Sequence, residues 1–410
     1  MKIGKEAGMM AIRPRILHVS ADFPDSIEAF KTPVIRSLLD LTADRFRHEV
    51  ISLNRRSPGV LAFGRGLVSG LGEPPLEVGQ QRFAYGQALI YQAPPRGLFH
   101  ATMLRKLGNW LAEDCLEGPL PDLLVGHKLA VEGMAVQHAA SRLDLPYSIC
   151  IQGDTDTKIL AARPDLTAQF ARVFHDAEVV FPFTPWALRQ VEERLGRRSK
   201  PAVMLPCPTD LDTLTPPRSR GNGLVSVFHL KNYRRKNLQG LVDALQLVAK
   251  EGLEVRLDII GGGSEHDFEK CRSIASRLPM VEFTGPLDRH ALRERLNKAT
   301  ALVLPSLRES FGLVFIEALF AGLPVIYPKG NAIDGYFDAC SFALAVDARD
   351  ATAIAAAIKR VMSEEAQLKE ALLKWQHSDD ALIFRRHAIG ETFAKGLLCS
   401  LDVRERAPIC

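Results

Sequence analysis

The sequence predicts an α/β protein built from two doubly wound domains, and three observations support that fold class. Short apolar runs, as in strands buried on both faces, alternate with segments of helical apolar spacing. This alternation starts near Ile16 and starts again near Leu224, after a stretch rich in proline. The 410 residues are enough for each half to bury its own core. We therefore expect domains over residues 14–206 and 207–383, followed by a helical run over residues 384–402.

Composition narrows the class of protein. Hydrophobic residues make up 47% of the chain and charged residues 24%, as in ordinary soluble domains. The net charge of +4 is too small to indicate a nucleic-acid partner, although it suits phosphorylated or anionic-membrane partners. Seven dispersed cysteines indicate reduced thiols and favour neither a disulfide framework nor a zinc site.

Membrane and targeting signals are weak in this sequence. No apolar run reaches the roughly 18 to 20 residues that a spanning helix needs. Residues 1–13 lack the apolar centre of a signal peptide, so we leave them out of the fold. We expect a cytoplasmic protein, with peripheral contact with the inner face of the membrane as an open alternative.

The strands and helices of the first half are predicted from apolar runs that lie between residues that break secondary structure. A β-α-β start is typical of a doubly wound domain. A further helix is expected through Met134 and Ala139. Strands are expected over residues 16–20, 48–53, 122–125, 146–151, 178–183 and 202–205, and helices over residues 29–41 and 185–195.

Two segments of the first half allow more than one interpretation. Residues Arg55 to Gly72 mix five glycines with apolar residues and arginines. A surface excursion is the favoured interpretation, and a mobile loop that meets a lipid-linked or membrane-held acceptor is the alternative. The stripe of Leu104, Leu107 and Leu111 has the spacing of a helix face, and core packing is favoured there over a membrane face.

Polar residues follow two strands of the first half. His127 comes after the strand over residues 122–125, and Gln152 and Asp154 come after the strand over residues 146–151. Such strand ends meet at the edge of a parallel sheet where ligands bind. Asp154 and Asp156 have the Asp-x-Asp spacing of metal–diphosphate sites, but Asp210-Leu211-Asp212 repeats it, so the spacing alone is a weak signal for a metal.

The second half repeats the alternation after a breaker-rich linker over residues 206–223. Strands are expected over residues 224–230, 255–260 and 281–284, with a helix over residues 238–249. Between the first of these strands and that helix lies the basic segment K-N-Y-R-R-K-N, which starts at Lys231. A run of three glycines from Gly261 is followed by His266, so the case for a dinucleotide fingerprint is weak.

The stretch from Thr300 to Lys329 predicts a strand–helix–strand unit. A loop containing Glu309 would lead into a helix that starts near Gly312 and contains Glu317. The helix would stop at Gly322, because glycine takes the left-handed closing conformation. Unpaired amides at the helix start would suit phosphate or sugar oxygens. A solvated pair of glutamates is the plain alternative.

This stretch resembles a known family. Glu309, Phe311-Gly312, Glu317 and the run A-L-F-A-G-L-P-V from Ala318 match the pattern of retaining nucleotide-sugar glycosyltransferases with the GT-B fold, of the family 4 type (glycosyl transferases group 1). The resemblance implies two Rossmann-like domains that close over a nucleotide-sugar. It also implies that the helix from Phe384 crosses back to pack on the first domain.

The resemblance also implies roles for the matching residues. Glu309 would bind the hydroxyls of the transferred sugar, Glu317 the ribose hydroxyls, and Gly285 would lie against the nucleobase. His127 would face the cleft as a catalytic or sugar-binding residue. The groups expected to hold the diphosphate are Lys236, Lys231, Arg235, Ser310, Phe311, Gly312 and Leu313.

The acceptor side departs from the family pattern. The loop after the first strand has no glycine, and Gln152 stands where the family has histidine, with Asp154 as a further candidate. The expected function is a retaining, metal-independent transfer from a UDP- or GDP-sugar, without a cofactor. The acceptor would be a polysaccharide, lipopolysaccharide or lipid-linked hydroxyl. A nucleotide-sugar epimerase and a non-catalytic sugar-nucleotide-binding subunit are the alternatives.

Overall fold

The computed structural model describes residues 13–56, 76, 78–92 and 100–402. Most of the glycine-rich segment expected to meet membrane or acceptor, residues 57–75, lies outside the described residues. The first sheet has the order β3-β4-β2-β1-β5-β6-β7, with only β3 antiparallel to its neighbour. Its strands are β1 (Arg15–Ser20), β2 (Arg47–Arg56), β3 (Val78–Phe83), β4 (Gly86–Gln92), β5 (Leu123–Gly126), β6 (Tyr147–Ile151) and β7 (Val180–Pro182).

A second sheet, with all neighbouring strands parallel, forms the other domain. Its order is β10-β9-β8-β11-β12-β13, so the chain winds outward in both directions from β8 and β11. The strands are β8 (Leu224–Val227), β9 (Leu257–Ile260), β10 (Val281–Gly285), β11 (Ala301–Val303), β12 (Val325–Pro328) and β13 (Ala343–Val346). Two doubly wound α/β domains are therefore confirmed.

Helices cover the faces of both sheets. Among the described residues, no helix has the length and apolar content to cross a membrane. The helices of the first domain are α1 (Val34–Asp40), α2 (His100–Leu116), α3 (Glu132–Leu143), α4 (Asp154–Ala162), α5 (Thr167–Asp176) and α6 (Pro185–Leu195). Those that follow are α7 (Leu238–Lys250), α8 (Glu265–Ala275), α9 (Arg289–Asn297), α10 (Leu313–Phe320), α11 (Ala351–Ser363), α12 (Glu365–Gln376), α13 (Asp379–Leu382) and α14 (Arg386–Leu401).

The apolar stripe of α2 packs into the core of the first domain. Leu104, Leu107 and Leu111 are each 3% exposed or less, in one cluster with residues of α3 and the sheet. The two helices approach closely at Gly108, where a Cβ atom would lie 2.7 Å from the carbonyl oxygen of Ala135. This stripe is therefore a packing face of the core.

The expected helix over residues 29–41 begins only at Val34. Pro33 precedes it and disfavours helical backbone at the residue before it. The loop ahead is folded around the buried carboxylate of Asp25, which accepts the backbone N–H groups of Ile27 and Glu28. Although burial opposes ionisation, hydrogen bonds from Ser52 and other neighbours hold the pKa of Asp25 well below its usual range.

Another expected element is reduced in the structure. The strand expected over residues 202–205 forms only a single bridge, between Ala202 and Val180. Residues 206–223, expected as the linker, contain neither helix nor strand.

The last helix, α14, returns to the first domain. Phe393 is fully buried and meets the ring of Phe181 edge-on, with 5.3 Å between ring centroids. The hydroxyl groups of Ser400 and Ser148 are 2.8 Å apart. The return of the terminal helix, which the family resemblance implied, is therefore confirmed.

Replacing Phe393 with alanine should destabilise the protein by about 3 to 5 kcal/mol, the usual cost of emptying a buried phenylalanine site. Urea unfolding measures this. Phe30→Ala is the matched control, because Phe30 is fully exposed and its removal should leave the free energy of unfolding nearly unchanged. Equal losses in the two variants would contradict the packing role of Phe393.

Candidate active site

The carboxyl edges of the two sheets face one another across an interdomain ion pair. Arg308 follows β11, and Asp154 begins α4 after β6. Nε and Nη2 of Arg308 lie 3.0 Å and 2.7 Å from the two carboxylate oxygens of Asp154, which is a bidentate arrangement. The structure thus brings a residue beside Glu309 to the acceptor-side candidate Asp154.

Two side-chain donors, from Trp186 and Tyr336, join the domains near this pair. Nε1 of Trp186 donates to the carbonyl oxygen of Ala332 at 2.7 Å. The hydroxyl of Tyr336 donates to the carbonyl oxygen of Phe183 at 2.8 Å. These contacts fix the two sheet edges as opposite walls of one cleft.

The start of α10 lies at the sheet edge with no side-chain cap. Gly312 precedes the helix with φ 76°, in the left-handed region that favours glycine. A Cβ atom there would lie 2.7 Å from the ring of Phe315 and 3.1 Å from Cγ of Glu309. The first amides of the helix therefore have no capping side chain, and the side chains of Phe315 and Glu309 approach the backbone of Gly312 too closely for a Cβ atom to fit.

Glu309 and Lys236 are in direct contact beside this helix start. Lys236 Nζ forms an ion pair with Oε2 of Glu309, and the two side chains are only 11% and 13% exposed. The backbone N–H of Glu309 donates to Oδ1 of Asn331 at 3.0 Å. Glu309 was predicted to bind the transferred sugar and Lys236 the diphosphate, and the structure pairs these two residues with each other.

Glu317 lies in α10 and faces the linker. Its carboxylate accepts a hydrogen bond from the hydroxyl of Thr209 at 2.6 Å. Burial raises the pKa of Glu317, and the hydrogen bond from Thr209 opposes the shift. The linker is held in turn by Arg386 at the start of α14, whose guanidinium donates to Asp210 at 2.8 Å.

The basic segment after β8 divides into two groups. Lys236 and Arg235 lie toward the cleft, since Arg235 is close enough to Asp154 to oppose the burial-driven rise in the pKa of that carboxyl. Lys231 is exposed in a 3-10 turn. Arg234 lies over the ring of its neighbour Tyr233, 5.5 Å from the centroid. Of the four basic residues in this segment, two therefore lie toward the cleft and two do not.

The remaining donor-side candidates vary in exposure. Phe311 is buried and meets Tyr336 edge-on at 6.3 Å, whereas Ser310 and Leu313 are half-buried. Gly285 ends β10 with φ 79°, and a Cβ atom there would meet nothing within 4 Å. Open space therefore lies above that strand end.

The Asp-x-Asp motif is divided between two environments. Asp156 is fully buried and accepts the backbone N–H groups of Ala130 and Gln152 at 3.0 Å and 3.1 Å. Burial raises its pKa to about 6. Asp154 instead pairs with Arg308, and the Gln152 side chain is 9% exposed. Across the described ranges, no group of three or more His, Cys, Asp and Glu residues is arranged to hold a metal ion.

His127 lies in a buried chain of imidazoles and does not face the cleft. Its side chain is fully buried, with Nε2 3.0 Å from Nδ1 of His18 and Nδ1 3.4 Å from Sγ of Cys150. His18 Nε2 lies 2.9 Å from Nδ1 of His48, whose Nε2 lies 2.9 Å from the hydroxyl of Thr42. In this conformation the side chain of His127 therefore has no exposed surface.

This chain has one consistent direction of donation. The hydroxyl of Thr42 donates to the carbonyl oxygen of Leu38 at 3.1 Å, so it accepts from His48. His48 must then accept from His18, and His18 from His127. His48 and His18 are neutral in this scheme, because a second ring proton on either would face another N–H group, whereas Nδ1 of His127 faces the thiol of Cys150. Burial lowers the pKa of His127 to about 3 and that of His48 to about 4.

A second charged cluster lies at the end of β1. Nζ of Lys128 is 2.7 Å from Oδ2 of Asp22, and Glu132 accepts the N–H of Ala21 at 2.7 Å. Burial raises the pKa of Glu132 to about 7. Sequence reasoning missed this cluster, as it missed Arg308, Asn331 and Thr209. Lys128 lies soon after β5 and Arg308 lies beside Glu309, and these positions were the available signals.

Part of the chain matches a known protein family. Residues 218–375 match the family described as Glycosyl transferases group 1. One relative is the GDP-mannose-dependent alpha-(1-6)-phosphatidylinositol dimannoside mannosyltransferase of Mycobacterium tuberculosis, 28% identical over 156 residues. Another is the D-inositol 3-phosphate glycosyltransferase of Nocardioides sp., 31% identical over 136 residues. The matches cover 36% and 29% of this chain and 40% and 30% of those proteins, less than half their length.

Solved structures match nearly the whole chain. A sucrose-phosphate synthase from Thermosynechococcus elongatus has a TM-score of 0.66 and 18% identity, covering 96% of this chain and 100% of its own. An alpha,alpha-trehalose-phosphate synthase from Burkholderia xenovorans has a TM-score of 0.62 and 13% identity, covering 94% and 100%. The chain has the GT-B fold of these proteins. The fold implied by the motifs is thus confirmed, and residues 218–375 match the family that the motifs resemble.

The imidazole chain should make stability sensitive to acid. A histidine whose folded pKa is lowered stays neutral while the unfolded chain takes a proton, so the free energy of unfolding falls below about pH 6.5. The raised pKa values of Glu132 and Asp156 act in the opposite direction in part of this range. His127→Asn should therefore reduce the slope between pH 6.5 and 4 by about 1.4 kcal/mol per pH unit.

Urea unfolding at several pH values measures that slope. His266→Gln is the control, because His266 is exposed and its removal should leave the slope as in wild type. A His127→Asn protein with the wild-type slope would contradict a neutral, buried His127.

Proposed function

We propose that this protein is a retaining glycosyltransferase that moves a sugar from a UDP- or GDP-sugar to an acceptor hydroxyl. The observation that carries the proposal is the contact of Glu309 with Lys236 at the uncapped start of α10. This pair lies in the family-matched segment and at the interdomain cleft. A carboxylate and an ammonium beside free amides suit a ligand that combines sugar hydroxyls with a diphosphate.

The donor would lie along the edge of the second sheet. The amides at the start of α10 and Lys236 would hold the diphosphate, with Arg235 as the second cation because it already lies toward the cleft. Glu317 would bind the ribose hydroxyls in place of the hydroxyl of Thr209, which it accepts at 2.6 Å. The open space above Gly285 would take the base.

Catalysis would depend on stabilising the leaving diphosphate. Negative charge grows on it as the bond from the anomeric carbon to the phosphate oxygen breaks. Lys236 and the positive end of the α10 dipole would offset that charge without a metal ion. The acceptor oxygen would attack from the same face, and its proton would pass to the departing phosphate oxygen. Glu309 would orient the sugar through its hydroxyls and form no covalent bond.

The proposed donor and acceptor classes draw on the relatives. One is named as GDP-mannose-dependent and acts on a phosphatidylinositol dimannoside, and a solved neighbour holds UDP and glucose. We therefore propose a UDP- or GDP-sugar donor and a carbohydrate or lipid-linked acceptor. Because His127 is buried, the proposal gives it no contact with substrate.

Glu309→Gln and Lys236→Met should each lower kcat by about 10²-fold or more, since each removes a charge placed at the reacting group. Steady-state transfer from the donor that binds best would be measured. Glu251 and Lys359 supply matched controls, because they form an exposed ion pair of 2.7 Å away from the cleft. Glu251→Gln and Lys359→Met should leave kcat unchanged.

The donor itself can be identified by thermal shift across UDP-, GDP- and ADP-sugars, since a ligand of the folded state raises apparent stability. Product analysis with and without acceptor then separates the alternatives. An epimerase would release a free sugar or an epimer without acceptor, and a non-catalytic subunit would bind donor with no turnover. Unaltered turnover in Glu309→Gln would contradict the mechanism.

A further inference from the structure

The linker residue Thr209 is buried against Glu317. Thr209 is 2% exposed, and its hydroxyl donates to Oε1 of Glu317 at 2.6 Å. The oxygen of the same hydroxyl accepts the backbone N–H of Leu211 at 3.1 Å. Because a hydroxyl has a single proton, the proton of Thr209 is committed to the carboxylate of Glu317.

This bond occupies only part of the carboxylate. Within the described part of the chain, Glu317 forms no ion pair, and Thr209 supplies its one side-chain hydrogen bond. Glu317 is half-buried, so part of its surface remains open. A vicinal diol such as that of ribose offers two O–H donors, and a carboxylate can accept one on each oxygen. Thr209 thus occupies one of the two oxygens that such a diol would use.

The next residue of the linker holds Thr209 in this position. Asp210 forms ion pairs with Arg386 at the start of α14, at 2.8 Å, and with Arg289 of α9. Because α9 lies in the second domain and α14 returns to the first, Asp210 is held from both domains. The fold therefore presents the hydroxyl of Thr209 to Glu317.

The charge on Glu317 depends on its hydrogen-bond donors. Burial raises the pKa of Glu317, and the bond from Thr209 opposes that rise. Arg289 acts in the same direction as Thr209, whereas Asp210 acts in the same direction as burial. Gln376 of α12 also packs against α10, but it is uncharged and donates to a backbone carbonyl oxygen of α10 at 2.8 Å. A ligand that displaces Thr209 must therefore donate to the carboxylate in its place, as ribose hydroxyls do.

We propose that Thr209 competes with the ribose of the donor nucleotide for the carboxylate of Glu317 and so limits the affinity of the cleft. This inference rests on the proposed function, in which Glu317 binds the ribose hydroxyls. Binding of the ribose breaks the bond from Thr209 to Glu317, so the net gain is reduced by what that bond contributed. Valine is close to threonine in volume but has no hydroxyl, so this substitution isolates the contribution of the bond.

Isothermal titration of the full chain with UDP and with GDP tests the competition. Thr209→Val should bind the nucleotide about tenfold more tightly, because the carboxylate no longer gives up a hydrogen bond when the ribose binds. The 2′,3′-dideoxy analogue of the same nucleotide should bind equally to both proteins, since it has no ribose hydroxyl to donate. Titration at about pH 8 limits the effect of the higher pKa that Glu317 has without the bond from Thr209.

Three further variants accompany this measurement. Thr209→Ala also lacks the hydroxyl and should tighten binding in the same way, whereas the conservative change Thr209→Ser keeps the hydroxyl and should retain the wild-type affinity. Thr300→Val is the matched control and should leave affinity unchanged. Thr300 is 1% exposed, and its hydroxyl accepts the N–H of Gly223 at 3.4 Å, at the amino end of β11 and away from the cleft. Urea unfolding establishes that each variant is folded.

Tighter binding of the ribonucleotide alone, in Thr209→Val and Thr209→Ala, would support the competition. Unchanged or weaker binding, or tightening that includes the dideoxy analogue, would overturn it. Glu317→Gln separates this result from the proposed function, because it should lose the preference for the ribonucleotide over its dideoxy analogue. If that preference is retained, or if the wild type binds neither UDP nor GDP, the proposed binding of the donor fails together with the competition.

Discussion

The ion pair between Lys236 and Glu309 is the interaction on which the arrangement of the cleft depends. Lys236 follows β8 and Glu309 follows β11, and these strands are parallel neighbours in the second sheet. Parallel pairing places their carboxyl ends at one edge, so two residues 73 positions apart come into contact. The pair also holds the loop ahead of Gly312, whose left-handed backbone begins α10. The ion pair thus stabilises the loop from which α10 begins.

The linker connects this edge to the other domain. Thr209 donates to Glu317, and the next residues of the linker meet Arg386 at the start of α14. That helix in turn packs on the first sheet through Phe393 and Ser400. Packed side chains and hydrogen bonds among the described residues therefore connect Glu317 to the first domain.

The first domain places its polar residues differently from the second. Three of its histidines, His18, His48 and His127, form a single hydrogen-bonded chain, and Lys128 is enclosed by carboxylates. Such groups are stable inside a protein only when they are paired or neutral. The second domain instead leaves an uncapped helix start at its edge. The two domains therefore differ in whether polar groups at the sheet edge are paired within the protein or left uncapped.

The sequence by itself determined the fold class, the doubly wound order of elements and the edge on which the second-domain candidates lie. Apolar runs and breakers are local signals, and parallel topology then places strand ends together. The motif around Glu309 and Gly312 adds the resemblance to a family, which the match over residues 218–375 supports, because its residues are close together along the chain. These features do not depend on the exact approach of distant side chains.

Only the tertiary structure decided which side chains meet. It buried His127, paired Arg308 with Asp154 and assigned Thr209 to Glu317. It also shortened the helix before Leu41, because the buried carboxylate of Asp25 organises the preceding loop. Each of these results depends on contacts between residues that are distant in sequence or on a buried polar group. Local periodicity carries no information about the distances and directions that such contacts require.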